Sequence, residues 1–123
     1  MDTKELEKLP NHKGEIEKAK SHIIVELIEY EHHAVVSKSI MKKATGSINA
    51  LSFASGEGLN EKISPFDTYA QIIDGSAIIV VDGVTTNLNT GDGILIPAHK
   101  PSHIQPNGRF KLILTVIKSG YED

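Results

Sequence analysis

From Val35 onward the chain breaks into short aliphatic and β-branched runs over positions 35–41, 47–54, 68–73, 76–81, 84–88, 93–96 and 110–117. Turn-forming residues separate them: Thr45-Gly46, Ser55-Gly56-Glu57-Gly58, Asp74-Gly75, Asp82-Gly83, Thr90-Gly91-Asp92-Gly93 and Asn107-Gly108. Asp-Gly and Asn-Gly tolerate positive φ at both central positions of a type I′ turn, so these pairs predict hairpins. The cleanest runs from Ile78 through Asp82-Gly83 to Thr86. Many short strands at regular spacing predict an all-β sandwich or barrel. A parallel sheet needs crossover helices, and nothing after Val35 is long enough to supply them.

The first 34 residues have a different texture. Residues 1–22 alternate lysine and glutamate with few large apolar side chains, which predicts a short polar N-terminal arm ahead of a barrel domain over 23–123. Positions 23–28 are apolar enough for a strand or an extended segment against the barrel, and 29–33 read as a polar turn.

Composition narrows the classes of function. With 123 residues the chain is long enough for one domain with its own core. It has no cysteine, which excludes disulfides, thiolate metal sites and cysteine nucleophiles, and which fits a cytoplasmic location. The longest apolar run, 77–81, suits a buried strand and is far too short for a transmembrane helix, so no membrane association is expected. The charged start of the chain has no apolar stretch behind it, so no secretory signal is expected. A net charge of −3 without a basic patch argues against a nucleic-acid partner.

Two stretches carry more than a strand count. One runs from Gly56 through Lys62, Ser64 and Thr68 to Gly75; the other runs from Gly91 through Pro97 to Ser102-His103. They resemble the two cupin motifs, G-x5-H-x-H-x3-E-x6-G and G-x5-P-x-G-x2-H, with Gly56, Gly75, Gly91 and Pro97 in register. The resemblance covers roughly residues 35–118 and is nearest to small single-domain cupins of the conserved-barrel type. It implies an all-β double-stranded β-helix, or jelly-roll barrel. It also implies a divalent metal held by three histidines and a glutamate, but those positions here are Lys62, Ser64, Thr68 and Ser102. A lysine ammonium repels a cation, and serine and threonine hydroxyls are weak ligands for first-row metals. No metal or other cofactor is therefore expected, and the family's metal-dependent chemistry does not carry over.

Lys62, Ser64, Thr68 and Ser102 are instead expected to line a small-molecule pocket. Lys62 would hold an anion or form a Schiff base, against the plainer reading that it snorkels from the barrel mouth or pairs with Glu61 or Asp67. The three hydroxyls match no catalytic triad and read as hydrogen-bonding lining. Tyr69 and Gln71 have the opposite parity to Thr68 and are left out of the pocket. A one-residue bulge would turn His103 inward, and His99 precedes it by four, but Pro97 and Pro101 make this segment a loop with histidines at the surface or rim. His12, His22 and the adjacent His32-His33 pair read as solvated.

These readings lead to a small-molecule-binding or sensor cupin without the usual metal site and with no assigned catalytic residue. Its rivals are an enzyme with a site relocated to His103 or Lys62, and a purely structural or dimerisation barrel. Open edge strands predict a homodimer, with the N-terminal segment as a candidate swapped strand.

Overall fold

The computed structural model describes residues 11–12 and 14–118. Half of the expected polar arm, residues 1–10 and 13, lies outside them. The strands are β1 (Asn11–His12), β2 (Val35–Lys43), β3 (Gly46–Phe53), β4 (Leu59–Ile63), β5 (Asp67–Asp74), β6 (Ser76–Val81), β7 (Val84–Asn89), β8 (Gly93–Ile96), β9 (Pro101–Gln105) and β10 (Phe110–Ile117). They form a six-stranded sheet in the order β1-β2-β3-β10-β5-β8 and a four-stranded sheet in the order β4-β9-β6-β7. All pairs are antiparallel except β1 with β2. The result is an all-β jelly roll, as the spacing predicts.

Alternation along the strands builds the core. On β10, Phe110, Leu112, Leu114 and Val116 enter the space between the sheets, where they meet Leu51, Phe53, Ile72, Ile79, Leu88 and Ile104. Phe53 and Phe110 are cross-strand partners and stack with ring centroids 4.3 Å apart. This aromatic pair and Val35, opposite Phe53 on β2, fill one end of the barrel.

The Asp-Gly turns divide in two. Asp82 (φ 50°) and Gly83 (φ 80°) both have left-handed backbone and close the β6–β7 hairpin as predicted. Asp74-Gly75 does not make a hairpin, because β5 and β6 belong to different sheets. It is a corner where the chain changes sheets, and only Gly75 (φ 78°) is left-handed. A Cβ on Gly75 would stand 2.6 Å from the Arg109 carbonyl oxygen, so the corner requires glycine for space as well as for φ.

Two strands escape the pattern of runs. β4 has one buried residue, Leu59, followed by four exposed ones. β9 begins at Pro101, inside a stretch expected to be a loop. Proline is tolerated at a strand's first residue, where its carbonyl still accepts; here it bonds the Asp82 N–H at 2.8 Å.

Residues 23–34 form a strap across the outer face of the six-stranded sheet. Ile24–Glu26 is a single 3-10 turn in place of the expected strand or extended segment. Ile28 is buried on Val36 and Ala50, making a second small apolar cluster. Polar ties hold the strap: Lys111 Nζ donates to the Val25 carbonyl at 2.7 Å, Ser52 Oγ to the Glu29 carbonyl at 2.8 Å, and Tyr30 OH to Asp74 Oδ2 at 2.7 Å. The expected polar turn at 29–33 thus contains an aromatic anchor, with the Arg109 guanidinium 4.6 Å from the Tyr30 ring centroid. Burial, reinforced by the Asp74 carboxylate, raises the Tyr30 hydroxyl above its ordinary pKa. Among the described residues no helix is long and apolar enough to cross a membrane.

Candidate functional site

The end of the barrel opposite the phenylalanine pair is lined differently. Cross-strand partners share a face, so register alone assigns its inward residues. Thr68 on β5 faces Val116 on β10 and Ile96 on β8. One rung further in, Ser39 on β2 faces Asn49 on β3, which faces Leu114. On the other sheet Ser102 faces Lys62 on one side and Val81 on the other. Hydroxyls from both sheets are therefore interspersed among aliphatic side chains at this end, where the other end has an aromatic pair.

Three of these hydroxyls are buried without a hydrogen-bond partner among the described residues: Ser39 Oγ, Thr68 Oγ1 and Ser102 Oγ. Buried polar groups are satisfied in most native structures, and leaving one unsatisfied costs about 1–3 kcal/mol. Their clustering on inward-facing positions near one barrel end marks that end as the candidate site. Ser39 and Asn49 were not expected from the sequence. Their signal was the parity of Val35, Ser37 and Ser39, which places both serines on the side of a residue that joins the core.

The four motif positions are not equivalent. Ser64 is buried, and its Oγ already accepts the Phe66 N–H at 3.1 Å within a turn. Thr68 and Ser102 are buried with free hydroxyls. Lys62 occupies an inward register position opposite Ser102 and yet is exposed. A register shift between Leu59 and Lys62 lets its long stem leave the barrel, as in the snorkelling alternative. Tyr69 and Gln71 are exposed on the outer face, as their parity predicts.

The two motif turns are stitched together at this end. The His99 N–H donates to the Ser64 carbonyl at 2.7 Å, and the Ala98 N–H to Asp67 Oδ1 at 2.8 Å. Phe66, in the first turn, packs against the core cluster. His99 has φ 68° and stands where the second motif carries its middle glycine. The site is thus framed by a backbone conformation that side chains rarely adopt.

His103 points the other way. The β9–β6 ladder runs in regular register, so no bulge turns the ring inward; it sits beside Ser102 on the outward face. Its Nδ1 is 3.7 Å from Glu61 Oε2, at a shallow groove of about 680 Å3 outside the β4–β9 ladder. Among the described residues no three His, Asp or Glu side chains gather where an ion would be held.

No family model matches the chain, and no curated protein does either. Solved structures do. A conserved protein of unknown function from Streptococcus pyogenes, SPY1581, superposes with TM-score 0.80 at 26% identity, covering 85% of this chain and 92% of that one. A cupin superfamily protein from Desulfitobacterium hafniense DCB-2 superposes with TM-score 0.76 at 30% identity, over 85% of this chain and 95% of its own. The chain is a cupin. A cupin 2 conserved barrel domain protein from Leptotrichia buccalis gives TM-score 0.73 at 28% identity, over 76% of this cupin and 46% of the other chain.

Cupin motifs imply a metal, and the residues of this cupin do not suit one. Thr68 Oγ1 and Ser102 Oγ are neutral hydroxyls, Ser64 Oγ is engaged by a backbone amide, and Lys62 carries a positive charge. Such a set has none of the imidazoles and carboxylates that bind first-row metals. What these side chains offer is hydrogen bonding.

Proposed function

We propose that this cupin binds a small polar organic molecule in the hydroxyl-lined end of its barrel, without a metal at the motif positions, as a binding or sensor protein. The observation that carries the reading is the set of three buried, unpartnered hydroxyls of Ser39, Thr68 and Ser102. A ligand bearing hydroxyl or carboxyl oxygens would satisfy them, and an apolar one would leave them stranded. Ser64 and Asn49 supply further polar lining, and the exposed Lys62 at the rim favours ligands with a negative charge. A cytoplasmic setting belongs to the same proposal and rests on the absence of cysteine.

The test is a thermal-shift panel of sugars, polyols and small organic acids. A ligand present at a hundred times its Kd stabilises the folded state by about 2.7 kcal/mol. The reading expects at least one class to raise the melting temperature of the wild type and to lose that effect in Thr68→Val/Ser102→Ala. Equal shifts in both proteins would place the binding elsewhere.

A further inference from the structure

Two strands gain one residue just before the hydroxyl-lined end. On β2, Ser39 pairs with Asn49 and Met41 with Ile48, so Ile40 is extra. On β4, three steps from Leu59 to Lys62 answer two from Ile104 to Ser102. An extra residue switches the parity of everything after it. Regular ladders would put Met41 opposite Ser47 and Glu61 opposite Ser102. The bulges put Lys42 and Lys62 there instead. Ser47 continues through Val116 to Thr68, so Lys42 ends the inward row of one unpartnered hydroxyl and Lys62 ends the row of another. Both lysines are exposed.

We propose that Lys42 and Lys62 together hold the anionic group of a polyhydroxy ligand whose hydroxyls enter the barrel. The ligand is then a carboxylate or phosphate carried on a short hydroxylated carbon chain, and its binding rests on the barrel-end site proposed above. Bulges are common at barrel rims, where they re-aim side chains. Here two of them, on facing sheets, exchange a thioether and a carboxylate for two ammonium groups. β3 leads into β4 through residues 54–58, which sets β4 over β3 and its neighbour β2. Both lysines therefore fall on one side of the mouth.

The charge of this end points the same way. The chain has a net charge of −3, yet Lys42, Lys62, Lys100 and Lys118 surround the mouth against Asp67 and Asp82. Both carboxylates are engaged within the protein. Asp67 Oδ1 accepts the Ala98 N–H at 2.8 Å, and Asp82 Oδ2 lies 3.8 Å from Lys100 Nζ. Glu61, an expected partner of Lys62, stands beside His103 instead. Among the described residues Lys62 has no ion pair. A cationic rim over buried hydroxyls concentrates anions at the site, and an ammonium meets a carboxylate or phosphate oxygen with charge-assisted hydrogen bonds. A neutral polyol would satisfy the hydroxyls and gain nothing from the lysines.

The experiment is calorimetric titration of the full chain with ligands matched by skeleton: glycerol, glycerate and glycerol 3-phosphate, then sorbitol, gluconate and sorbitol 6-phosphate. The wild type is expected to bind at least one anion at least tenfold more tightly than its neutral counterpart, and added salt is expected to shrink that preference. The carboxylate and phosphate arms show which group the lysines take. Lys42→Met and Lys62→Met are each expected to weaken the anion by about tenfold, with the neutral polyol's affinity and the circular-dichroism spectrum unchanged. Lys43→Met, on the outward row of β2, is expected to change nothing. Equal affinities for anion and neutral counterpart, or a preference insensitive to both lysine variants, overturn the role of the lysines and leave the barrel-end site standing. Anion binding that survives Thr68→Val/Ser102→Ala overturns the barrel-end site and the entry of the ligand's hydroxyls with it. Binding of none of the six overturns the ligand class.

Discussion

Lys62 and Ser102 stand opposite each other in the β4–β9 ladder and face the same way, yet Lys62 is exposed and Ser102 is completely buried. The register shift before Lys62 releases the long side chain to water and leaves the short hydroxyl inside. Function and stability should therefore separate at this pair. Ser102→Ala removes an oxygen that has no partner, so urea unfolding should show a change within about 1 kcal/mol, neutral or stabilising. Thr68→Val should behave the same way, because it keeps the shape and removes another unpartnered oxygen. A loss above about 2 kcal/mol in either variant would mean that the hydroxyl serves the fold instead of a ligand.

His99 makes the second prediction. It holds φ 68° at a position where the motif carries glycine. A left-handed side-chain residue costs about 1–2 kcal/mol, partly offset by glycine's greater freedom in the unfolded chain. His99→Gly should thus stabilise by roughly 0.5–1 kcal/mol, and His99→Val should destabilise by at least as much, since its branched Cβ suits this region least. The bond from its N–H to the Ser64 carbonyl is backbone and survives either change. Denaturant midpoints of the two variants give the comparison.

Tyr30 makes the third. Its hydroxyl is raised above the ordinary value by burial and by Asp74. A group with a raised folded pKa contributes stability that is complete below its unfolded value, about 10, and that is lost as pH climbs through the folded value. Stability should therefore fall above about pH 10, and Tyr30→Phe should remove the part of that fall due to this hydroxyl. At neutral pH the same variant should lose about 1–2 kcal/mol with the bond to Asp74. Urea titrations of the two proteins at pH 8 and pH 11 would show both effects, and parallel curves would contradict them.

Much of the barrel was legible because local chemistry and tertiary context agree there. The Asp82-Gly83 hairpin is predicted by its turn residues and confirmed by two positive φ values. Asp74-Gly75 has the same two residue types, but its neighbouring strands enter different sheets, and dipeptide chemistry does not encode that choice. β4 and β9 were hidden by polar and proline residues, whose place in a strand is fixed only by pairing with β6 and with each other. The strap was legible only as an apolar segment lying against the barrel; its 3-10 turn and polar ties were not, because Val25, Glu29 and Tyr30 are held by Lys111, Ser52 and Asp74, all distant in sequence. At the site, motif spacing reached Thr68 and Ser102, while Ser39 lies on a strand that neither motif covers. Lys62 pairs with Ser102 and yet is exposed, and the register shift before it has no sequence signature.

The central claim is that the motif positions of this cupin form a hydrogen-bonding site and not a metal centre. Calorimetric titration of the purified, chelator-treated protein with zinc, nickel and manganese tests it most directly. The account predicts no saturable one-to-one binding that depends on Thr68 or Ser102. Stoichiometric binding abolished in Thr68→Val and in Ser102→Ala would contradict it.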